Sequence, residues 1–342
     1  MIRDAGDISR RRGGGGAERN SGGATMRRHD RSSRPDNGAE AWREMGGGGK
    51  HLVQTDRQNR EMMSFWTIAP AKEEDCRMWV CANVGSFVWS RFIFWKKRLG
   101  LPENLKSIDV GCGYGKFSMT LGVLGADVAL LDYNARSLDV AVRAHRLLGL
   151  NPAAVNCDLL SLPEELSCRY DMVCSFGTLE HFSGENRLEA FRAHCRLLRQ
   201  GGLLFVVVPN RHGFLYRIAF GLRRRLGRVP ADFFEEPFSR KELTAMAASC
   251  GVAVLELEGA RTIVEDYRYW IMENVRSLCR KLFRLRGRAK PADGGAPRLP
   301  AASELLELRE FRRSFLDRRF SSMWLLIGRK EELIEPCCRQ QA

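Results

Sequence analysis

The spacing of apolar residues changes twice along the chain, and the changes divide it. Residues 1–50 are dominated by Gly, Arg, Ser and Asp, with glycine runs at 13–16 and 46–49. Such a stretch cannot bury enough apolar surface to offset its conformational entropy, so it is predicted to be a disordered tail, with Met26 as an alternative start. From residue 62 to residue 99, large apolar side chains including Phe65, Trp66, Trp79, Phe87, Phe92 and Trp95 recur at mixed helical spacing. That spacing predicts two helices, a cap over 51–104 whose aromatics mainly pack a core and which is placed to cover a ligand pocket.

After Pro102, short apolar runs alternate with amphipathic stretches, the pattern of a parallel, doubly wound sheet. Strands are predicted at 107–110, 127–132, 154–158, 172–176, 203–208, 252–258 and 322–329, and helices at 115–124, 135–148, 185–198 and 239–249. Ser239 is placed to cap the last of these helices, with Glu242 completing a capping box. The expected fold is therefore α/β, a doubly wound seven-stranded mostly parallel sheet over 105–330, with N-terminal helices before it and a tail over 331–342. A helical insertion over 261–320, two helices parted by a Gly/Pro-rich stretch, precedes the last strand. It is long for a bare core and is a candidate substrate-side element.

The chemistry begins where the first strand should turn into the first helix, at Ile108-Asp109-Val110-Gly111-Cys112-Gly113-Tyr114-Gly115-Lys116-Phe117. Glycines there allow a tight turn and let a ligand touch backbone. A dinucleotide fingerprint spaces its glycines GxGxxG; here the third arrives one place early, as GxGxG. Further features follow in order: Asp132 after Leu130-Leu131, Asp158 before Leu159, and Tyr170-Asp171-Met172-Val173-Cys174-Ser175-Phe176-Gly177-Thr178-Leu179-Glu180-His181-Phe182. Gln200-Gly201-Gly202 then leads into a fifth apolar strand.

This series resembles the class I S-adenosylmethionine-dependent methyltransferases that act on small molecules, over about two thirds of the chain. The resemblance implies a Rossmann-like methyltransferase fold, S-adenosylmethionine as cofactor, and a helix end facing its methionine carboxylate. It implies cofactor contacts at Asp109, Gly111, Cys112, Gly113, Tyr114, Gly115, Asp132, Tyr133, Asp158, Leu159 and Phe176. Asp132 would accept both ribose hydroxyls, and Asp158 with Leu159 would hold adenine by its amino group and an apolar wall. If the acceptor is a hydroxyl, a base must take its proton. His181 is the candidate, with Glu180 as its orienter or as a cofactor-loop contact. Proximity alone serves many related enzymes, and for every one of these residues a purely structural role is the competing reading.

Charge narrows the acceptor. The chain carries 55 basic and 41 acidic residues, net +14. Residues 211–230 hold six arginines and no acid, and 261–290 hold nine basic against three acidic residues. Solvated helix faces would explain both stretches. In the first, however, the arginines sit among Phe214, Tyr216, Ile218 and Leu222, so contact with an anionic membrane surface through 211–230 is the alternative. Nucleic acid is disfavoured: the Asp/Asn-Pro-Pro-aromatic motif of base-amine methyltransferases is replaced by Ser175-Phe176-Gly177-Thr178, and the Pro-Cys pair of cytosine-C5 enzymes occurs only at Pro336-Cys337.

The 11 cysteines form no CxxC pair and no Cys/His cluster with zinc spacing, so no metal is expected. Cys112, Cys157 and Cys174 fall in or beside core strands, which argues for a reducing, cytoplasmic setting, membrane-associated if the basic stretch docks. No segment has about 18 consecutive apolar residues. The expected function is methyl transfer, by O-methylation, to a small-molecule or lipid- or glycan-linked acceptor. An RNA methyltransferase and a non-catalytic cofactor-binding scaffold are the alternatives.

Overall fold

The structure, a computed structural model, describes residues 72–227, 229, 233–267, 275 and 297–331. The tail predicted over 1–50, the start of the helical cap with Phe65 and Trp66, the middle of the 261–320 insertion and the chain beyond Glu331 lie outside the described residues.

The cap forms two helices, α1 (Glu73–Val84) and α2 (Phe87–Leu99). Three acids in the first turn of α1 complement its dipole. In α2 the Ser86 side chain caps the first turn, and Gly100 closes the helix in the left-handed region. Its seat on the domain is polar as well as apolar. Arg91 pairs with Glu256 at 2.5 Å, Trp95 Nε1 donates to the same carboxylate at 2.7 Å, and buried Trp89 donates to the Leu305 carbonyl.

The domain follows as β1 (Lys106–Val110), α3 (Lys116–Val123), β2 (Asp127–Asp132), α4 (Ala135–Leu147), β3 (Ala153–Asn156), β4 (Tyr170–Phe176), α5 (Gly184–Leu197) and β5 (Leu198–Pro209). It continues with α6 (Phe214–Arg225), α7 (Arg240–Ser249), β6 (Val252–Gly259), the short helices α8 (Ile263–Asp266), α9 (Ala302–Leu305) and α10 (Phe315–Phe320), and β7 (Met323–Lys330). The strands form one seven-stranded sheet in the order β3-β2-β1-β4-β5-β7-β6. Neighbours are parallel except at β7, which runs antiparallel to both β5 and β6.

Period-2 alternation sends successive residues to opposite faces of the sheet. In β5, Leu204, Val206 and Val208 pack with Phe191 of α5 and Leu243 and Met246 of α7. Leu203, Phe205 and Val207 pack on the other face with Trp89 and Phe92 of α2, Phe117 of α3 and Leu138 of α4. The capping box expected at Ser239 and Glu242 is present, both bonds closed. Two local differences matter below. The third strand stops at Asn156, so Asp158 lies in a turn rather than on a strand, and the basic stretch after β5 is the helix α6.

In an open parallel sheet, ligands sit beyond the carboxyl ends of the strands where the order reverses. Here that point lies between β1 and β4.

Candidate functional site

A cavity of about 920 Å³ opens at that reversal point. It falls within the range of pockets that enclose a drug-sized ligand. The loop after β1 forms its floor, and its two cavity-facing glycines are required for different reasons. Gly111 has φ +64°, and a Cβ there would lie 2.3 Å from Thr178 Oγ1, whose hydroxyl donates to the Val110 carbonyl at 3.0 Å. Gly113 has φ +51°, and a Cβ there would meet nothing within 4 Å because it would point into open space. Thus Gly111 lets two strand ends approach, and Gly113 leaves room.

Carboxylates ring the β1–β2–β3 side. Asp109 is buried; Ser118 Oγ donates to it at 2.8 Å, and loss of water pushes its pKa up to about 7. Asp132 accepts the Asn134 N–H at 2.9 Å on Oδ1 and the Gly113 N–H at 3.2 Å on Oδ2. Each oxygen keeps a second lone-pair direction, so the carboxylate can still take hydroxyl donors. Asp158 caps a short 3₁₀ turn by accepting the Leu160 N–H at 2.9 Å. Cys112, Tyr114 and Tyr133 also face the cavity. The thiol of Cys112 is pushed well up by burial and by Asp109, so it is a small apolar wall.

The β4–β5–β6 side is aromatic and apolar, with Phe87, Phe117, Phe176, Val207, Phe234 and Ala260 at the surface. His181 sits here, at the end of the 3₁₀ turn after β4, with Nδ1 2.9 Å from the Phe234 carbonyl. A carbonyl only accepts, so this contact is a hydrogen bond when Nδ1 carries the proton, and a second carbonyl, at Gly177, also takes a hydrogen bond from the ring. Burial lowers the His181 pKa, which keeps the ring neutral, while its backbone partners at Phe234 and Gly177 oppose the shift.

Of the residues expected at a cofactor or catalytic site, Asp109, Gly111, Cys112, Gly113, Tyr114, Asp132, Tyr133, Asp158, Phe176 and His181 border this cavity. Gly115, Leu159 and Glu180 do not. Gly115 instead precedes α3 in a left-handed conformation, and a Cβ there would lie 2.6 Å from the His145 ring. Leu159 turns into the core and Leu160 faces the cavity in its place, because the 3₁₀ turn rotates the chain after Asp158. The Glu180 side chain is buried behind the wall, and desolvation with nearby Glu235 pushes its pKa well up.

The sequence did not single out Asn83, Lys116, Asn134 or Arg261, all of which line the cavity. Asn83, at the end of α1, donates to the Lys116 carbonyl at 2.6 Å and so closes the cap over the start of α3. Asn134 follows the end of β2 and caps α4, a pattern that could have been read. Nothing in the sequence marks Asn83. Among the described residues, no group of acids, histidines and cysteines could hold a metal ion, and no helix is long and apolar enough to cross a membrane.

A family model described as a methyltransferase domain matches residues 108–202. The ubiquinone biosynthesis O-methyltransferase of Methylobacterium nodulans is 32% identical over 167 residues, which are 47% of this chain and 66% of the relative. That of Pseudomonas fluorescens is 31% identical over 169 residues, 48% and 70% of the two chains. This chain thus spans about two thirds of the length of the curated relatives it matches. A methyltransferase-like structure from Bacillus halodurans, 17% identical, aligns over 71% of this chain and 99% of its own with a TM-score of 0.44. With its seven strands in this order and its glycine loop at the reversal point, the chain belongs to the class I S-adenosylmethionine-dependent methyltransferases.

Proposed function

We propose that the chain transfers a methyl group from S-adenosylmethionine to a hydroxyl of a small, largely apolar acceptor, free or carried on a lipid. One observation carries the reading: a single cavity joins three carboxylates on the β1–β2–β3 side to an aromatic wall and a half-buried histidine of lowered pKa on the β4–β5–β6 side. The names of the relatives, O-methyltransferases of ubiquinone biosynthesis, support a hydroxyl as acceptor.

The residues present fit the cofactor. Asp132 keeps lone pairs for ribose hydroxyls, Asp158 and Leu160 offer an acceptor and an apolar wall to adenine, and open space at Gly113 admits a ligand against backbone. The start of α3 offers main-chain N–H groups and a positive dipole end to a carboxylate. When bound, the cofactor supplies an electrophilic methyl group on a sulfonium. The chain's own work is to align the acceptor, exclude water and hold a proton. Phe87, Phe176 and Phe234 do the first two, and His181 is the group placed to accept the hydroxyl proton.

A membrane surface as source of the acceptor is part of the same proposal. Helix α6 exposes Phe214, Ile218 and Leu222 one turn apart on one face, beside Arg217, Arg223, Arg224 and Arg225 and no acid. That combination suits an anionic lipid surface.

The test is incubation of the purified chain with methyl-labelled S-adenosylmethionine and an o-diphenol carrying an apolar side chain. The expected result is label on an oxygen of the diphenol. Tight cofactor binding with no transfer to any hydroxyl, amine or thiol probe would instead mark a scaffold, and transfer to amines or thiols in preference would remove the hydroxyl from the proposal.

A further inference from the structure

At the floor of the cavity stands a cation that the methyl-transfer reading leaves unused. Lys116, the first residue of α3, follows the last glycine of the loop after β1 and borders the cavity. Its ammonium lies over two aromatic rings, 4.7 Å from the centre of Trp79 and 5.6 Å from that of Tyr114. The two rings in turn meet each other at 5.6 Å. Tyr114 belongs to the glycine loop, whereas Trp79 comes from α1 of the cap. The cap is seated there by Asn83, whose side chain also donates to Thr120 Oγ1 at 3.0 Å, and by Cys76 and Val80, which pack with Met119 and Ala144.

A lysine held in this way differs from one in an ion pair. Aromatic faces attract a cation through their quadrupole, yet they cancel none of its net charge and leave its N–H groups to donate elsewhere. Among the described residues no carboxylate pairs with Lys116, and partial burial lowers its pKa with no acid to oppose the shift. To tie the cap to the loop, a methionine could pack on the same rings without desolvating a charge. What methionine lacks is the charge itself.

The lining of the cavity shows what the charge can serve. Asp109, Asp132 and Asp158 make the β1–β2–β3 side acidic, while the amino-acid end of S-adenosylmethionine carries a carboxylate as well as an ammonium. Such a carboxylate is repelled by those acids unless a cation stands among them. Of the described lysines and arginines that border the cavity, Arg136 lies in the first turn of α4 and Arg261 follows β6 on the acceptor side, which leaves Lys116 at the glycine loop.

We infer that Lys116 is the residue that reads the carboxylate of the cofactor, and that Trp79 of the cap and Tyr114 of the loop hold its ammonium in place for that task. The inference rests on the assignment of the cavity to S-adenosylmethionine, and it makes α1 a partner in cofactor recognition.

The experiment is titration calorimetry on the full chain with S-adenosylhomocysteine, with its decarboxylated analogue, which keeps the amine, and with methylthioadenosine, which lacks the amino-acid end. The unaltered protein is expected to bind S-adenosylhomocysteine about 10-fold to 100-fold more tightly than the decarboxylated analogue, the contribution of a hydrogen bond between charged groups. Lys116→Met should lose most of that preference while its affinity for the other two ligands stays nearly unchanged. Trp79→Leu, which keeps the ammonium and removes the larger ring, should lose part of it. Equal binding of S-adenosylhomocysteine and the decarboxylated analogue by the unaltered protein overturns the inference even if every variant fails to fold. A folded Lys116→Met that keeps the full preference, or that weakens all three ligands alike as a merely structural lysine would, overturns it too, and a full preference in Trp79→Leu removes the cap from it. Failure of the cofactor assignment would show separately, as absence of binding heat with all three ligands.

Discussion

The main-chain N–H of Gly113 donates to Asp132 Oδ2 across 3.2 Å, tying the glycine loop after β1 to the carboxylate that ends β2. Burial raises the Asp132 pKa, while this bond and the one from Asn134 oppose the rise. The loop therefore prepares its neighbour as an acceptor.

Asp132→Ala should remove that acceptor and weaken binding of both S-adenosylmethionine and its demethylated product. Hydrogen bonds to a charged group contribute about 1.5–3 kcal/mol, so the affinity loss should lie between about 10-fold and 100-fold. Titration calorimetry beside a melting curve checks this; unchanged affinity in a folded variant would remove Asp132 from the site.

The two cavity glycines should separate by mutation. Gly111→Ala drives a methyl into the Thr178 side chain as well as straining a left-handed residue, so it should destabilise the fold by several kcal/mol. Gly113→Ala carries only the conformational penalty of about 1–2 kcal/mol and should fold, yet bind the cofactor poorly because its methyl occupies the cavity. Melting temperature and calorimetry together distinguish the cases, and equal melting temperatures would contradict the packing described.

Asp109 makes stability depend on pH in a definite direction. Its pKa is about 7 when folded against 3.8 for the free side chain. Between those values the folded state holds a proton that the unfolded state has released. The stabilisation from this group is complete below about pH 4 and is lost as pH rises through 7. His145 and His194, lowered to about 4 from 6.5 by burial, act oppositely, adding stability as pH rises over that window. The difference between the melting curves of the parent and Asp109→Asn isolates the first effect: the parent should lose stability relative to the variant steadily from pH 4 to pH 7. A cationic cofactor should also expel the Asp109 proton near pH 6, seen as buffer-dependent heat of binding.

His181→Asn should spare cofactor affinity and lower kcat by about 10²-fold or more, the ordinary contribution of a positioned base. A full rate in the variant would mean that the acceptor loses its proton without help and that alignment alone drives transfer.

Helix α6 should bring the protein to vesicles rich in anionic lipid at low salt, with release as salt rises. Ile218→Asp, at a position 58% exposed, should abolish the binding without lowering the melting temperature. Equal recovery on neutral vesicles would refute the charge argument.

Much of this protein was legible in its residues. Period-2 and period-3.6 patterns, GxGxG and the run of strand-end carboxylates are local, so they located the sheet, the reversal point and most of the cavity's polar side. Leu159 and Gly115 show the limit. A residue's neighbours along the chain state its chemistry but not its direction, and a single 3₁₀ turn sends Leu160 to the cavity and Leu159 to the core.

The amino-acid order alone determined which groups are present and which strands must be buried. Only the tertiary structure decided that Asn83 would reach across from α1, that Thr178 would demand a glycine at 111, and that Trp79 would hold the Lys116 ammonium. The reason is physical: those contacts join residues tens of positions apart, and they exist only once burial of both sheet faces has fixed where each helix lies.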